Sequence, residues 1–328
     1  MPKVKNKYFV FSDVHGEYDA LRASLDRAGY DQYNQTHKLV CIGDAFDRGP
    51  KSEEVYKFLV NRNAIYVKGN HDEFLQKFLE QGPDGEFVMF NIVNNGLGAT
   101  LKSFAGINDK TKPMNLKDIQ AKIIIRHSSL RKWLQNLPLY FETQNFIFVH
   151  AGVNPELGAN WKNTDKDYML WDIRDSYKNI PDIGGRMVVI GHHHTFRIKE
   201  DAKAHGYDYL QITRNGERVS HTKFNGDFIE MQFFGNNNEE YGPYLYDNKV
   251  ALDGCTNLSG QVNVMVVEDY PYEEPKPETQ KEPEPPTIAV NKDISITADD
   301  TLRWQTYVDP YQYMGFATAT TAEGTIRI

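Results

Sequence analysis

An α/β fold is predicted by three features of the 328-residue sequence. Short β-prone apolar runs alternate with helical patterns as far as Gln81. Strand-like runs then resume after Asn145. Clusters of Asp, His and Asn follow the strands one after another, at the carboxyl ends where open α/β sheets place their ligands.

Each element has its own warrant. Tyr8-Phe-Val-Phe-Ser-Asp13 reads as a strand, and Glu17 to Gly29 carries apolar residues at helical spacing with a closing glycine. Lys38-Leu-Val-Cys-Ile-Gly-Asp44 is the next strand and Ser52 to Val60 the next helix. Ala64-Ile-Tyr-Val-Lys-Gly-Asn70 follows, then a helix from Asp72 to about Gln81. This βαβαβα order implies right-handed parallel crossovers. Residues 82–145 are rich in Gly, Asn and Lys, with one or two helices between Leu116 and Leu137, and form a helical cap or lid. Further strands are expected at Phe146-Ile-Phe-Val-His150, Met187-Val-Val-Ile-Gly191, Lys249–Leu252 and Gln261–Val267. The last two are expected to pair antiparallel and close a second sheet.

Composition narrows the function. Apolar residues are 40% and charged residues 25%, as in globular domains, and the net charge of −8 argues against stable nucleic-acid binding. Residues 102–132 hold eight basic and two acidic residues, which reads first as a solvated helix face and second as a surface steering an anion. The two cysteines, Cys41 and Cys255, sit in apolar runs and are expected as buried thiols in a cytoplasmic protein. No run has membrane-spanning length. Prolines at 271, 275, 277, 283, 285 and 286 mark residues 270–294 as an extended linker after a catalytic domain over 1–269. A tail over 295–328 contains Trp304, Tyr307, Tyr311, Tyr313 and Phe316. Linker and tail are expected to be a tethered recognition or autoinhibitory element.

Five motifs carry the chemistry: Asp13-Val-His15-Gly16, Gly43-Asp44-Ala-Phe-Asp47-Arg48-Gly49, Gly69-Asn70-His71-Asp72, His150-Ala-Gly152 and Gly191-His192. Their side chains are the ligand types of hard or borderline divalent metals. One such motif is weak evidence. Five in order at successive strand ends would bury several unpaired charges, at high cost unless a cation neutralises them.

These residues resemble the signature of the phosphoprotein phosphatase family within the calcineurin-like metallophosphoesterases, in its bacterial and phage branch of lambda-type protein phosphatases and symmetrical diadenosine tetraphosphatases. The resemblance implies a β-sandwich of two mixed sheets flanked by helices. It implies two divalent metal ions, Mn²⁺ foremost and Fe or Zn²⁺ as alternatives. Asp13 and His15 would bind the first, Asp44 would bridge both, and Asn70, His150 and His192 would complete the second. A water held between the ions would attack phosphorus as hydroxide. His71 matches the general acid and Asp47 the carboxylate that orients it. Arg48 and, more loosely, Arg174 in Trp171-Asp-Ile-Arg174 match phosphate-binding arginines.

The chain departs from the family at Gly191-His192-His193-His194-Thr195, where a threonine usually follows the first histidine. His192 alone is favoured as a ligand, and His194 is the second candidate. Other tempting residues are read as structural: His37, His127, His205 and His221 as packing or surface groups, and Trp171 as a core aromatic rather than a base-stacking one. The expected activity is hydrolysis of phosphoserine or phosphothreonine monoesters in proteins. Symmetrical hydrolysis of dinucleoside polyphosphates is the alternative, and a catalytically silent phosphate- or partner-binding domain is the reading from another class.

Overall fold

The computed structural model describes residues 4–107, 115–174, 176–178, 180, 183–207, 209, 217–224, 227–235, 238–274, 318–321 and 324–327. The first helices and strands fall where apolar periodicity places them: β1 (Asn6–Phe11), α1 (Tyr18–Arg27), β2 (His37–Cys41), α2 (Ser52–Asn61), β3 (Ile65–Tyr66) and α3 (Asn70–Gln81). Residues 82–145 contain α4 (Glu86–Asn94), α5 (Leu97–Phe104), α6 (Leu116–Arg126), α7 (Leu130–Gln135) and β4 (Tyr140–Glu142). Then come β5 (Phe146–Val149), a 3-10 segment (Pro155–Asn163), α8 (Lys166–Trp171), β6 (Met187–Ile190) and α9 (Thr195–Ala204). The hairpin β7 (Glu217–Phe224) and β8 (Asp227–Phe234) follows. After it the chain runs through β9 (Tyr244–Tyr246), β10 (Lys249–Ala251), α10 (Thr256–Ser259) and β11 (Val264–Asp269).

Two mixed sheets face each other. The first has the order β3-β2-β1-β11-β8-β7 and the second β4-β5-β6-β10-β9. Strand alternation divides the apolar residues among three layers. Tyr8 and Val10 of β1, Val40 of β2 and Ile42 just after it point between the sheets, where they meet Phe146, Phe148, Met187 and Val189. Phe9, Phe11, Leu39 and Cys41 point the other way, under α1 to α7. Ile147, Val149, Val188 and Ile190 line the opposite outer face with Trp161, Met169 and Ile198.

One expectation is corrected. β10 and β11 do not pair: β10 lies beside β6 in the second sheet, whereas β11 enters the first sheet antiparallel to β1, with Phe11 opposite Val264. The Gly/Asn/Ser stretch between them is therefore no hairpin turn but a crossing from one sheet to the other. Of the strands described before β10, β9 joins the second sheet, while β7 and β8 extend the first sheet beyond β11. Ile229, Met231 and Phe233 on alternate positions of β8 supply the apolar face that this location buries.

Residues 86–135 share a core with the helices around them. Val88, Leu97, Leu101, Phe104, Ile119, Ile123, Leu130 and Leu134 are buried in the same cluster as Phe46, Phe74 and Phe78. Tyr270 and Pro271 remain attached to the body, since the Gln144 amide donates to the Tyr270 carbonyl at 3.0 Å and Pro271 bridges to Thr143. The chain divides into units of Met1–Glu273 and Glu274–Ile328. Of the second, only Glu274 and the strands β12 (Thr318–Thr321) and β13 (Gly324–Arg327), which pair antiparallel, are described. Trp304, Tyr307, Tyr311, Tyr313 and Phe316 lie outside the described residues, as does most of the proline-rich stretch. No helix among the described residues is long and apolar enough to cross a membrane.

Candidate metal centre

The loops that leave β1 and β2 are bonded to each other before any side chain is considered. Asp13 N–H donates to the Gly43 carbonyl at 3.1 Å, His15 N–H to the Asp44 carbonyl at 3.0 Å and Gly16 N–H to the Ala45 carbonyl at 2.8 Å. The backbone is strained there. Of the nine non-glycine residues with positive φ among the described residues, six are Asp13, His15, Asp44, Asp47, Arg48 and His192. The left-handed conformation costs about 1–2 kcal/mol for such residues, and this clustering is typical of functional sites. Gly69 closes the arrangement: a β-carbon there would lie 2.6 Å from the Asp44 nitrogen, so only glycine lets the turn into α3 rest on Asp44.

Backbone carbonyls choose the histidine tautomers. His15 Nδ1 donates to the Phe46 carbonyl at 2.8 Å, and His150 Nδ1 to the Ile42 carbonyl at 2.9 Å. Nε2 of each ring is then the nitrogen turned toward the acids, the arrangement common for metal-ligating histidines. His15 Nε2 stands 3.9 Å from both Asp13 Oδ1 and Asp44 Oδ2. His150 Nε2 faces Asn70 Oδ1 at 2.9 Å and Asp44 Oδ2 at 3.4 Å. The His192 ring lies 5.0 Å from that of His150, and the His192 amide donates to Asp13 Oδ2 at 3.0 Å.

Two donor groups result, His15–Asp44–His71 and Asp44–His150–His192, with the ligand atoms of each within 4.8 Å of one another and Asp44 in both. The donor set fits divalent cations. Asp13, Asp44, Asp47, Asp72 and Asp253 are each no more than 1% exposed, and burial pushes Asp13 up to about 6, Asp72 up to about 7 and Asp47 and Asp253 upward, so their ionised forms need a compensating cation. The imidazoles show the same demand. Burial opposes a charge on His150, yet Asp44 and Asp13 push it up to about 10. Burial likewise opposes ionisation of Asp44, but His150, His71 and His15 outweigh it and hold the carboxyl well below its usual range. Burial keeps His15 neutral and pushes His192 down to about 3, so both rings offer lone pairs.

His71, although it falls within the first group by distance, is engaged on its other side: its Nδ1 pairs with Asp47 Oδ2 at 2.8 Å, while its Nε2 lies 3.4 Å from Arg48 Nη2 and 3.9 Å from Asp44 Oδ2. Burial disfavours the imidazolium, but Asp44 and Asp47 together raise its pKa. The ring is thus both oriented and biased toward carrying a proton.

Residues 7–196 match the family model described as calcineurin-like phosphoesterase. The chain belongs to the calcineurin-like phosphoesterases. Over 176 residues this phosphoesterase is 28% identical to the asymmetrical bis(5'-nucleosyl)-tetraphosphatase PrpE of Bacillus subtilis, covering 50% of this chain and 65% of the relative. Over 186 residues it is 25% identical to the symmetrical bis(5'-nucleosyl)-tetraphosphatase of Vibrio parahaemolyticus, covering 53% and 59%. The match thus spans less than two thirds of either relative. A solved metallophosphoesterase from Sphaerobacter thermophilus aligns over 80% of this chain and 89% of its own, at 15% identity and a TM-score of 0.35.

Within the phosphoesterase the predicted residues Asp13, His15, Asp44, Asp47, Arg48, Asn70, His71, His150 and His192 come together as described. Arg174 is held differently: its Nε pairs with Asp172 Oδ1 at 2.5 Å, its guanidinium lies 5.3 Å from the Tyr168 ring, and the side chain is 75% exposed. It borders an open cavity of about 500 Å³ with Lys178 and Lys249. His194 belongs to neither donor group and directs Nε2 toward Asp253 Oδ2 at 3.6 Å.

Asp253 follows β10 at its carboxyl end, in the Leu252-Asp253-Gly254 run that the resemblance to the phosphoprotein phosphatases also reaches. Other contributors were not legible as such. Thr100 Oγ1 accepts from Asp47 N–H at 2.7 Å, and the Gly96 carbonyl accepts from Arg48 N–H at 3.2 Å. Asp72 accepts from Tyr66 Oη and Gly69 N–H, both at 2.7 Å, and so braces the turn that presents Asn70 and His71. Trp171 corrects its reading as a core aromatic, because it is 43% exposed.

Proposed function

We propose that this phosphoesterase hydrolyses dinucleoside polyphosphates, with Asp13, His15, Asp44, Asn70, His150 and His192 holding two divalent ions, Mn²⁺ foremost. The observation that carries the hydrolytic reading is the shared Asp44 between two donor groups, set beside the His71–Asp47 pair. Support for the substrate class comes from the two relatives above, whose names specify tetraphosphatases of that type.

Two divalent ions bound there would supply Lewis acidity toward a phosphoryl oxygen and toward water. The remaining work falls to the chain's own groups. Arg48 presents a planar donor to the phosphoryl oxygens that project beyond the donors. Asp47 holds His71 with Nε2 turned toward Asp44 and Arg48, where it can give its proton to the departing oxygen. Asp44 is fixed from a second side by the His71 amide, which donates to Oδ1 at 2.9 Å from the first turn of α3. That helix end also favours negative charge at this point.

A second reading, hydrolysis of phosphoserine or phosphothreonine in proteins, is favoured by Gly43-Asp44-Ala-Phe-Asp47-Arg48-Gly49. The deciding experiment measures turnover of diadenosine tetraphosphate and a phosphoserine peptide side by side in added Mn²⁺, with Asp44→Asn and His71→Asn as controls. Preference for the dinucleotide, lost in both variants, is expected. Preference for the peptide would transfer the same site to the second reading. Turnover of neither would leave a phosphate-binding domain.

A further inference from the structure

We propose that Trp171, backed by Phe74, is a stacking platform for the base of the nucleotide that leaves. The inference rests on the dinucleotide reading and adds a specificity-determining residue to it. Trp171 closes α8 immediately beside the donors: its ring meets that of His192 edge-on at 6.0 Å. Even so, the side chain is 43% exposed. A large apolar ring at the edge of a buried polar cluster offers a face to whatever enters.

The direction of that face follows from its neighbours. Trp171 lies 6.0 Å from Phe74, and Phe74 lies 4.7 Å from His71. Phe74 is itself buried, so one continuous wall of rings leads from the proposed proton donor to the exposed tryptophan. The group protonated by His71 departs along this wall. Phe87 on α4, 39% exposed, meets Phe74 edge-on at 5.6 Å, and the Lys77 ammonium sits 4.0 Å from the Phe87 ring centre. Rings with an adjoining cation match a leaving group that carries both an aromatic base and phosphate. A serine or threonine hydroxyl has neither. Stacking of a base on such a ring requires no particular hydrogen-bond pattern and contributes through the π-face alone.

The test is calorimetric titration of ADP and of pyrophosphate into the full chain with Mn²⁺, because these ligands differ by the adenosine alone. In Trp171→Ala the ratio of ADP to pyrophosphate affinity is expected to fall about tenfold, within the range known for stacked bases. Trp171→Phe, which keeps an aromatic face, should restore most of it. Equal weakening of both ligands would assign Trp171 to packing against His192 and overturn the platform, and so would an unaltered ratio. Should diadenosine tetraphosphate fail as a substrate while the ratio still falls, the platform stands and only the hydrolytic assignment is lost. The reverse result keeps the substrate class and removes Trp171 from it.

Discussion

His71 is the residue whose surroundings say most about its task. A buried imidazole is ordinarily neutral, and here two carboxylates reverse that tendency while one of them fixes the ring at 2.8 Å. The value of such a donor depends on the leaving group. For an alkoxide, loss of the donor should reduce turnover by about 10²–10⁴-fold, the usual contribution of a positioned acid. For a nitrophenolate, which departs without a proton, the loss should shrink to within about tenfold, since little of that contribution is then in use. Comparing His71→Asn with the unaltered protein on serine and p-nitrophenyl phosphate esters checks this. An equal loss on both substrates would assign His71 to holding the donors rather than to proton transfer. His71, Asp47 and Arg48 were legible because Gly43–Gly49 and Gly69–Asp72 resemble the phosphoprotein phosphatase signature, which assigns a role to each. Arg174 was recognisable as an arginine near a tryptophan, but its pairing with Asp172 depends on a turn geometry that the spacing does not encode.

At the scale of elements, α4 and α5 serve as a bracket. Asp47 and Arg48 both occupy the left-handed region, with φ of 71° and 67°. Their amides are held by Thr100 of α5 and by Gly96 at the helix junction. Gly96 has φ of 83°, and a β-carbon there would lie 2.7 Å from the Arg48 Cα, so the junction presses directly on the strained pair. Thr100→Val removes the acceptor for a buried N–H and should cost about 1–3 kcal/mol of stability. Turnover should fall with it, because the Asp47 carboxylate loses its fixed position, and Thr100→Ser should retain both. Gly96→Ala should cost about 1–2 kcal/mol or more from backbone conformation alone. Thermal denaturation together with kinetics on the three variants tests the bracket. Full activity in a folded Thr100→Val protein would show that Asp47 needs no such support. Sequence reading placed one or two helices between Leu116 and Leu137 but found neither α4 nor α5. The apolar residues of α4 include Phe87, Met89, Phe90 and Val93, all exposed, so its pattern lacks the one-sided stripe that signals a helix.

For the whole molecule, two sheets converge so that the ends of β1, β2, β3, β5 and β6 present acids and imidazoles to one small volume. Keeping the buried acids there ionised opposes folding, and cations that enter offset that cost. Ions that bind only the folded state stabilise it by about 2.7 kcal/mol at a concentration one hundred times the dissociation constant. For a domain of this size, that is a rise in Tm of roughly 5–10 °C. Mn²⁺ should produce this rise in the chelated protein, whereas Asp44→Asn, lacking the carboxylate common to both donor groups, should respond far less. Differential scanning calorimetry with and without chelator decides it, and equal responses would remove Asp44 from the metal centre.

The sequence by itself determined the alternation of strands and helices in the first half and the order of the five Asp-, His- and Asn-bearing motifs, because these depend on local periodicity and on chemistry concentrated at strand ends. Tertiary structure decided what depends on contacts between distant segments. It separated β10 from β11 by sending one to each sheet, and it carried the β7–β8 hairpin to the far edge of the first. It brought Thr100 across 53 residues to Asp47 and left Trp171 uncovered beside His192. Pairing between strands and exposure of a ring are properties of the packed chain. No single segment carries enough information to specify them, because the partner that satisfies or covers each group lies elsewhere in the sequence.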